Sequence, residues 1–210
     1  MMKNKRINQL AVILTVSLMF VSCLEVETTV NINKDRTGTW SLNYKLLQEA
    51  SFITPGDELS LYNYFPLNEL EITDRINSID GLEVISINSN STILFTEFLI
   101  EIKFTDIKDI QLFFNNFTDI PLIDINLADE EAFTLKINNP FPNAVPSDLL
   151  NLISDLYSDN TMDITIKLPG LVTKSSQGLL SDNPSEAKIE MKIIDTFKLT
   201  ESFEWIINYE

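Results

Sequence analysis

Histidine does not occur in the 210 residues of this chain. Its absence removes the commonest general base, the usual metal ligand and the ordinary switch near neutral pH. Cysteine occurs once, at Cys23, so the chain cannot close a disulfide on itself. Beyond Cys23 it has no thiol for nucleophilic attack or a zinc site. The five glycines are scattered and form neither a phosphate-binding loop nor a dinucleotide fingerprint. No Gly-x-Ser-x-Gly elbow is present, and we expect no serine–lysine catalytic pair. The expectation is a protein that is not an enzyme and that needs no cofactor and no metal. Positive charge is also scarce, with 15 Lys and Arg against 31 Asp and Glu. So acidic a surface is repelled by nucleic acid and by anionic headgroups, and no nucleic-acid partner is expected.

Apolar residues make up 44% of the chain, enough for a folded core and too many for a disordered chain. Their longest early run, Leu10 to Val21, is shorter than the ~20 residues a helix needs to cross a bilayer. It follows Lys3, Lys5 and Arg6 and ends at Ser22-Cys23. A basic start, an apolar stretch of about a dozen residues and a small residue before a cut are the layout of a secretory signal.

The cut site resembles the lipobox of bacterial lipoproteins. Phe20-Val21-Ser22-Cys23 matches that pattern at Val21, Ser22 and Cys23 and departs from it at Phe20, where leucine is usual. The resemblance implies that residues 1–22 are removed and that Cys23 is acylated, with a membrane partner reached through this lipid anchor. The implied location is the bacterial cell envelope, in the periplasmic leaflet or at the cell surface. Several acyl chains anchor stably where one does not. The segment before Cys23 carries three basic residues and no acidic one, so residues 23–210 carry a net charge of −19. They are the length of a single domain.

That domain opens with clean alternation. Val26, Thr28, Val30 and Ile32 share one face of a strand. Trp40, Leu42, Tyr44 and Leu46 share one face of the next, and Lys34 to Gly38 supply the turn. The first strand begins two residues after Cys23, so the folded body should sit close to the bilayer. Leu47 to Pro66 reads as a long connection carrying Tyr62, Tyr64 and Phe65, either tucked into the core or forming a flap over a pocket. Leu67 to Ile79 reads as a helix with Leu70, Ile72, Ile76 and Ile79 on one side. A second hairpin follows, Val84–Asn88 and Ile93–Phe104, with Asn88 to Ser91 as its turn.

Thr105 or Asp106 can cap a second helix over Ile107–Phe117, whose apolar side holds Phe113, Phe114 and Phe117. Leu122–Leu127 and Ala132–Asn138 form a third hairpin across Asp129-Glu130. Those acids, with Glu131, Asp124 and Asn126, lack the spacing and glycine of a calcium loop and read as a solvated turn. Three prolines rule out regular structure over residues 139–146. A third helix is expected over Ser147–Tyr157, then a strand over Met162–Leu168 and a polar loop from Thr173 to Glu186. Two closing strands follow, Lys188–Ile194 and Ser202–Ile207, and Trp205 is expected to share one core with Trp40.

The fold class that follows is α+β, with antiparallel hairpins forming a curved sheet and about three helices packed on one of its faces. A cleft between such layers suits an apolar ligand. The candidate lining residues are Tyr62, Tyr64, Phe65, Phe113, Phe114 and Phe117.

The two ends of the chain resemble the LppM-type domain of bacterial lipoproteins. At the start the match is Val30-Asn31-Ile32-Asn33, a turn closing at Gly38, and Thr39-Trp40-Ser41-Leu42-Asn43-Tyr44. At the end it is Leu168-Pro169-Gly170, a loop at Gly178, and Glu204-Trp205-Ile206-Ile207. The resemblance covers about a third of the chain and carries over no catalytic residue. It implies an α+β envelope domain in contact with lipid or glycolipid. An envelope partner protein is the other molecule this domain is expected to bind. The alternative is a structural or surface-interaction lipoprotein with no small ligand, its acidic surface meeting basic proteins.

Overall fold

The computed structural model describes residues 25–47, 65–93, 95–116, 121–128, 131–138, 160–199 and 201–210. Eleven strands are found among them: β1 (Val26–Ile32), β2 (Gly38–Leu47), β3 (Leu82–Ser91), β4 (Phe95–Phe104), β5 (Ile123–Ala128), β6 (Ala132–Ile137), β7 (Thr161–Lys167), β8 (Val172–Ser175), β9 (Leu179–Leu180), β10 (Glu186–Lys192) and β11 (Phe203–Tyr209). Three helices accompany them: α1 (Glu69–Asn77), α2 (Ile107–Asn115) and the short α3 (Ile193–Phe197). Strands dominate, so the α+β class holds in a sheet-rich form.

The arrangement of layers differs from the sequence-based expectation. Instead of one curved sheet under helices there are two sheets. The larger runs β3-β4-β2-β1-β7-β10-β9 and the smaller β5-β6-β11-β8. The three expected hairpins, β1–β2, β3–β4 and β5–β6, are antiparallel as read. Near the middle of the large sheet, however, β1 pairs in parallel with β7, Val26 opposite Met162 and Val30 opposite Ile166. Parallel neighbours need a long crossover, and here it comprises everything between residues 32 and 161. A strand's alternation specifies its faces and not its neighbour, which is why the pairing was not legible locally.

Several boundaries also move. β3 continues through Asn88–Ser91, expected as a turn, because Thr92 closes the hairpin instead, its N–H donating to the Phe95 carbonyl at 2.8 Å. A bulge between Val84 and Ser86 turns Ile85 outward. Leu70, expected on the buried side of α1, is 78% exposed, and the helix buries Ile72, Arg75 and Ile76 instead. The polar stretch after Leu171 contains β8 and β9, and α3 replaces the expected end of the β10 strand. Residues 147–157 and the proline-rich stretch lie outside the described residues.

Both longer helices start where their caps dictate. The Asn68 side chain accepts the Glu71 N–H at 2.9 Å and opens α1. At α2 the Asp106 carboxylate accepts the Lys108 N–H, and the Asp109 carboxylate accepts the Asp106 N–H, each at 2.9 Å. α2 lies across the gap between β4 of the large sheet and β5 of the small one, and β8 and β9 meet on the other side. The inward side chains of both sheets join one continuous core that includes Trp40 and Trp205.

Candidate functional site

Alternation sends one face of each sheet inward, and the two inward faces do not fill the space between them. A cavity of about 120 Å³ remains. One wall comes from the large sheet through β1, β2 and β7, with Val30, Leu42 and Ile166 as representatives. The opposite wall comes from β5 and β6 of the small sheet through Ile125, Phe133 and Leu135. α2 closes one side with Ile107, Ile110 and Phe114, and α3 contributes Ile193 and Thr196. In size the space resembles engineered apolar cavities of ~150 Å³ that stay dry and admit benzene.

Three of the described lining residues carry a hydrogen-bonding side-chain group, and each group is engaged within the protein. Trp40 Nε1 donates to Thr28 Oγ1 at 2.8 Å. Thr28 Oγ1 donates in turn to the Ser41 carbonyl at 3.2 Å. Thr196 Oγ1 donates to the Ile193 carbonyl at 2.7 Å. The remaining described lining side chains are aliphatic, Met or Phe. Such a wall offers a guest dispersion contact and apolar surface, and none of the described lining side chains has a donor left to hold a headgroup.

An aromatic cluster backs one end. The Trp40 ring meets Phe113 edge-on at 5.0 Å between centroids and Phe114 at 5.5 Å. Phe65 reaches Phe114 at 6.2 Å and Tyr44 at 5.2 Å. Tyr44 is buried and its hydroxyl donates to the Pro66 carbonyl at 2.8 Å. Loss of solvent pushes its pKa well above the ordinary phenol range, and nearby Arg75 only partly opposes this.

Of the six aromatic residues nominated from the sequence, Phe65 and Phe114 stand in the cavity wall. Phe113 is fully buried behind it, against Trp40. Tyr62, Tyr64 and Phe117 lie outside the described residues, as does Cys23. The nomination missed the aliphatic walls on β5, β6 and β7. Their signal was present as alternation, but only the opposition of the two sheets turns a buried strand face into a cavity wall.

On the outer face of the large sheet, Glu25, Glu27, Asn43, Lys45, Glu97 and Asp163 surround a polar depression. Lys45 Nζ sits 2.8 Å from the Glu25 carboxylate and 5.0 Å over the Phe95 ring. Among the described residues no group of three or more His, Cys, Asp or Glu side chains is placed to hold a metal ion. A Ser-x-x-Lys spacing occurs at Ser185–Lys188. Its lysine is committed to Glu186 Oε1 at 2.9 Å. Among the described residues no helix is long and apolar enough to cross a membrane.

No family model matches the chain, and no curated protein matches it either. Among solved structures, the NMR structure of the folded domain of LppM from Mycobacterium tuberculosis is similar at 11% identity, with a TM-score of 0.45. The match covers 89% of this chain and 90% of that one. It is the domain type that the two ends of the sequence resemble, and a likeness at that score and identity transfers no residue and no activity.

Proposed function

We propose that this chain is a lipid-anchored, non-enzymatic protein of the bacterial cell envelope whose domain holds an apolar molecule between its two sheets. The observation that carries the reading is the apolar cavity in whose wall every described hydrogen-bonding side-chain group is already engaged. A lipid or glycolipid would place part of an acyl tail there and leave its headgroup outside. Burial of apolar surface, at ~25 cal/mol per Å², supplies the binding energy, and no charged contact is needed. The lipobox-like segment ending at Cys23 and the strongly acidic composition support envelope anchoring without nucleic-acid contact.

Native mass spectrometry of the protein purified from cells tests this. A co-purifying lipid, displaced by a fluorescent fatty acid with a rise in thermal midpoint, is the expected result. A bare mass together with no binding of the fatty acid would leave the structural or surface-interaction reading in its place.

A further inference from the structure

We propose that the cavity takes part of an acyl chain of the protein's own anchor, so that the lipoprotein is partly self-liganded. The inference rests on the reading of the cavity as an apolar-ligand site and on acylation at Cys23.

Chain length carries it. Glu25 is pinned to the domain twice, by the Lys45 N–H donating to its carbonyl at 3.1 Å and by the ion pair with Lys45 Nζ at 2.8 Å. Cys23 lies two residues earlier, so its Cα is at most about 7 Å from that of Glu25. The next residue, Val26, is buried and lines the cavity. So do Met162, its register partner on β7, and Ile193, which begins α3 just beyond β10. The cavity wall therefore extends to the end of the large sheet at which the anchor is attached. A fatty acyl chain is longer than this gap.

Transfer of methylenes from a bilayer to this cavity exchanges one apolar environment for another. The short tether makes the exchange intramolecular, at an effective concentration on the order of millimolar or higher. The anchor's remaining chains keep the protein on the membrane. A free lipid must then compete with the anchor for the same space, and the acylated protein binds outside ligands more weakly than the bare polypeptide.

The test uses full-length protein from cells fed a fatty acid bearing a photoreactive diazirine, irradiated in detergent and mapped by peptide mass spectrometry. Cross-links within one molecule, from the anchor to β1, β7 or Ile193, are expected. Replacing Ile164, another lining residue, by Trp should fill the space and reduce those cross-links while the label at Cys23 persists. If that variant does not fold, the map on the unaltered protein still decides. Cross-links confined to detergent, lipid and exposed residues would overturn the inference.

A second arm uses full chain made by cell-free synthesis without acylation and probed with cis-parinaric acid. Binding about tenfold or more tighter than to acylated protein is expected. Binding to both forms with equal affinity removes the self-ligand and leaves the cavity reading standing. Binding to neither removes both.

Discussion

Asn115, in the last turn of α2, holds the edge of the small sheet at Ile123. Its Nδ2 donates to the Ile123 carbonyl at 2.7 Å, and its Oδ1 accepts the N–H groups of Ile123 at 3.2 Å and Leu122 at 2.9 Å. One turn earlier Gln111 Oε1 accepts the Ile125 N–H at 2.9 Å. β5 is an edge strand, and an open edge is a template for pairing with another chain. Helix side chains stand here where a neighbouring strand would be.

Asn115→Ala should therefore cost about 2 kcal/mol, since three hydrogen bonds at roughly 1 kcal/mol each are lost and water recovers part. A lowered urea midpoint with unchanged slope checks it. The double change with Gln111→Ala should also promote association, visible by light scattering, because the edge is then open.

Thr28→Val should destabilise by about 1–3 kcal/mol, although it makes the cavity wall more apolar, because it leaves the buried Trp40 N–H without its acceptor. The readout is the denaturation midpoint together with a changed Trp40 emission. Trp205 should not respond, because its Nε1 donates to Ser175 Oγ at 2.7 Å and the Gln177 carbonyl at 2.9 Å.

Backbone conformation predicts opposite signs at two turns. Gly178 has φ +74°, and a Cβ built there would lie 2.2 Å from the Lys188 carbonyl oxygen. Gly178→Ala should cost at least 1–2 kcal/mol by left-handed strain alone. Arg36 adopts φ +68° without being glycine. Arg36→Gly should relieve that strain and raise the thermal midpoint by a few degrees.

Two buried groups contribute to the pH dependence of stability. Glu186 is 7% exposed, and the hydrogen bond from Lys188 is the main cause holding its carboxyl below the ordinary value of 4.5. A carboxylate depressed in the folded state contributes stability that is complete above its unfolded value and is lost as pH falls through the depressed one. Glu186→Gln should flatten the acid limb of a stability–pH profile below 4.5. Asp35, lowered by the Thr37 hydroxyl and N–H, remains in both proteins and cancels in the comparison.

Tyr44 acts at the other end. Its pKa is raised above the ordinary 10.0 by burial, so the folded state favours the neutral phenol and loses stability as pH rises past that value. Tyr44→Phe should lose the Pro66 hydrogen bond, about 1 kcal/mol at neutral pH, and show a shallower alkaline limb. Urea titrations between pH 8 and 11 would show a parallel limb instead if the phenol were not responsible.

Much of the local structure was legible in the residues themselves. Period-two alternation marked the inward faces of β1 and β2, and Thr105 or Asp106 marked the start of α2, because side-chain direction and backbone capping depend on near neighbours alone. Helical period misled at Leu70, which falls on the apolar side of α1 but turns to solvent. A nine-residue helix exposes part of any stripe, and the burial of Arg75 beside Glu71, paired at 2.9 Å, rotates the buried side away from Leu70.

By itself the sequence determined which residue types are absent, the alternation of the strands and a cap: which side chains turn inward and where α2 begins. Only the tertiary structure decided that β1 lies parallel to β7, that two sheets oppose each other, and that Phe114 reaches the space between them while Phe113 does not. The reason is that every strand presents the same N–H and C=O pattern along its edges, so partner choice and the gap left between layers follow from how distant segments pack together.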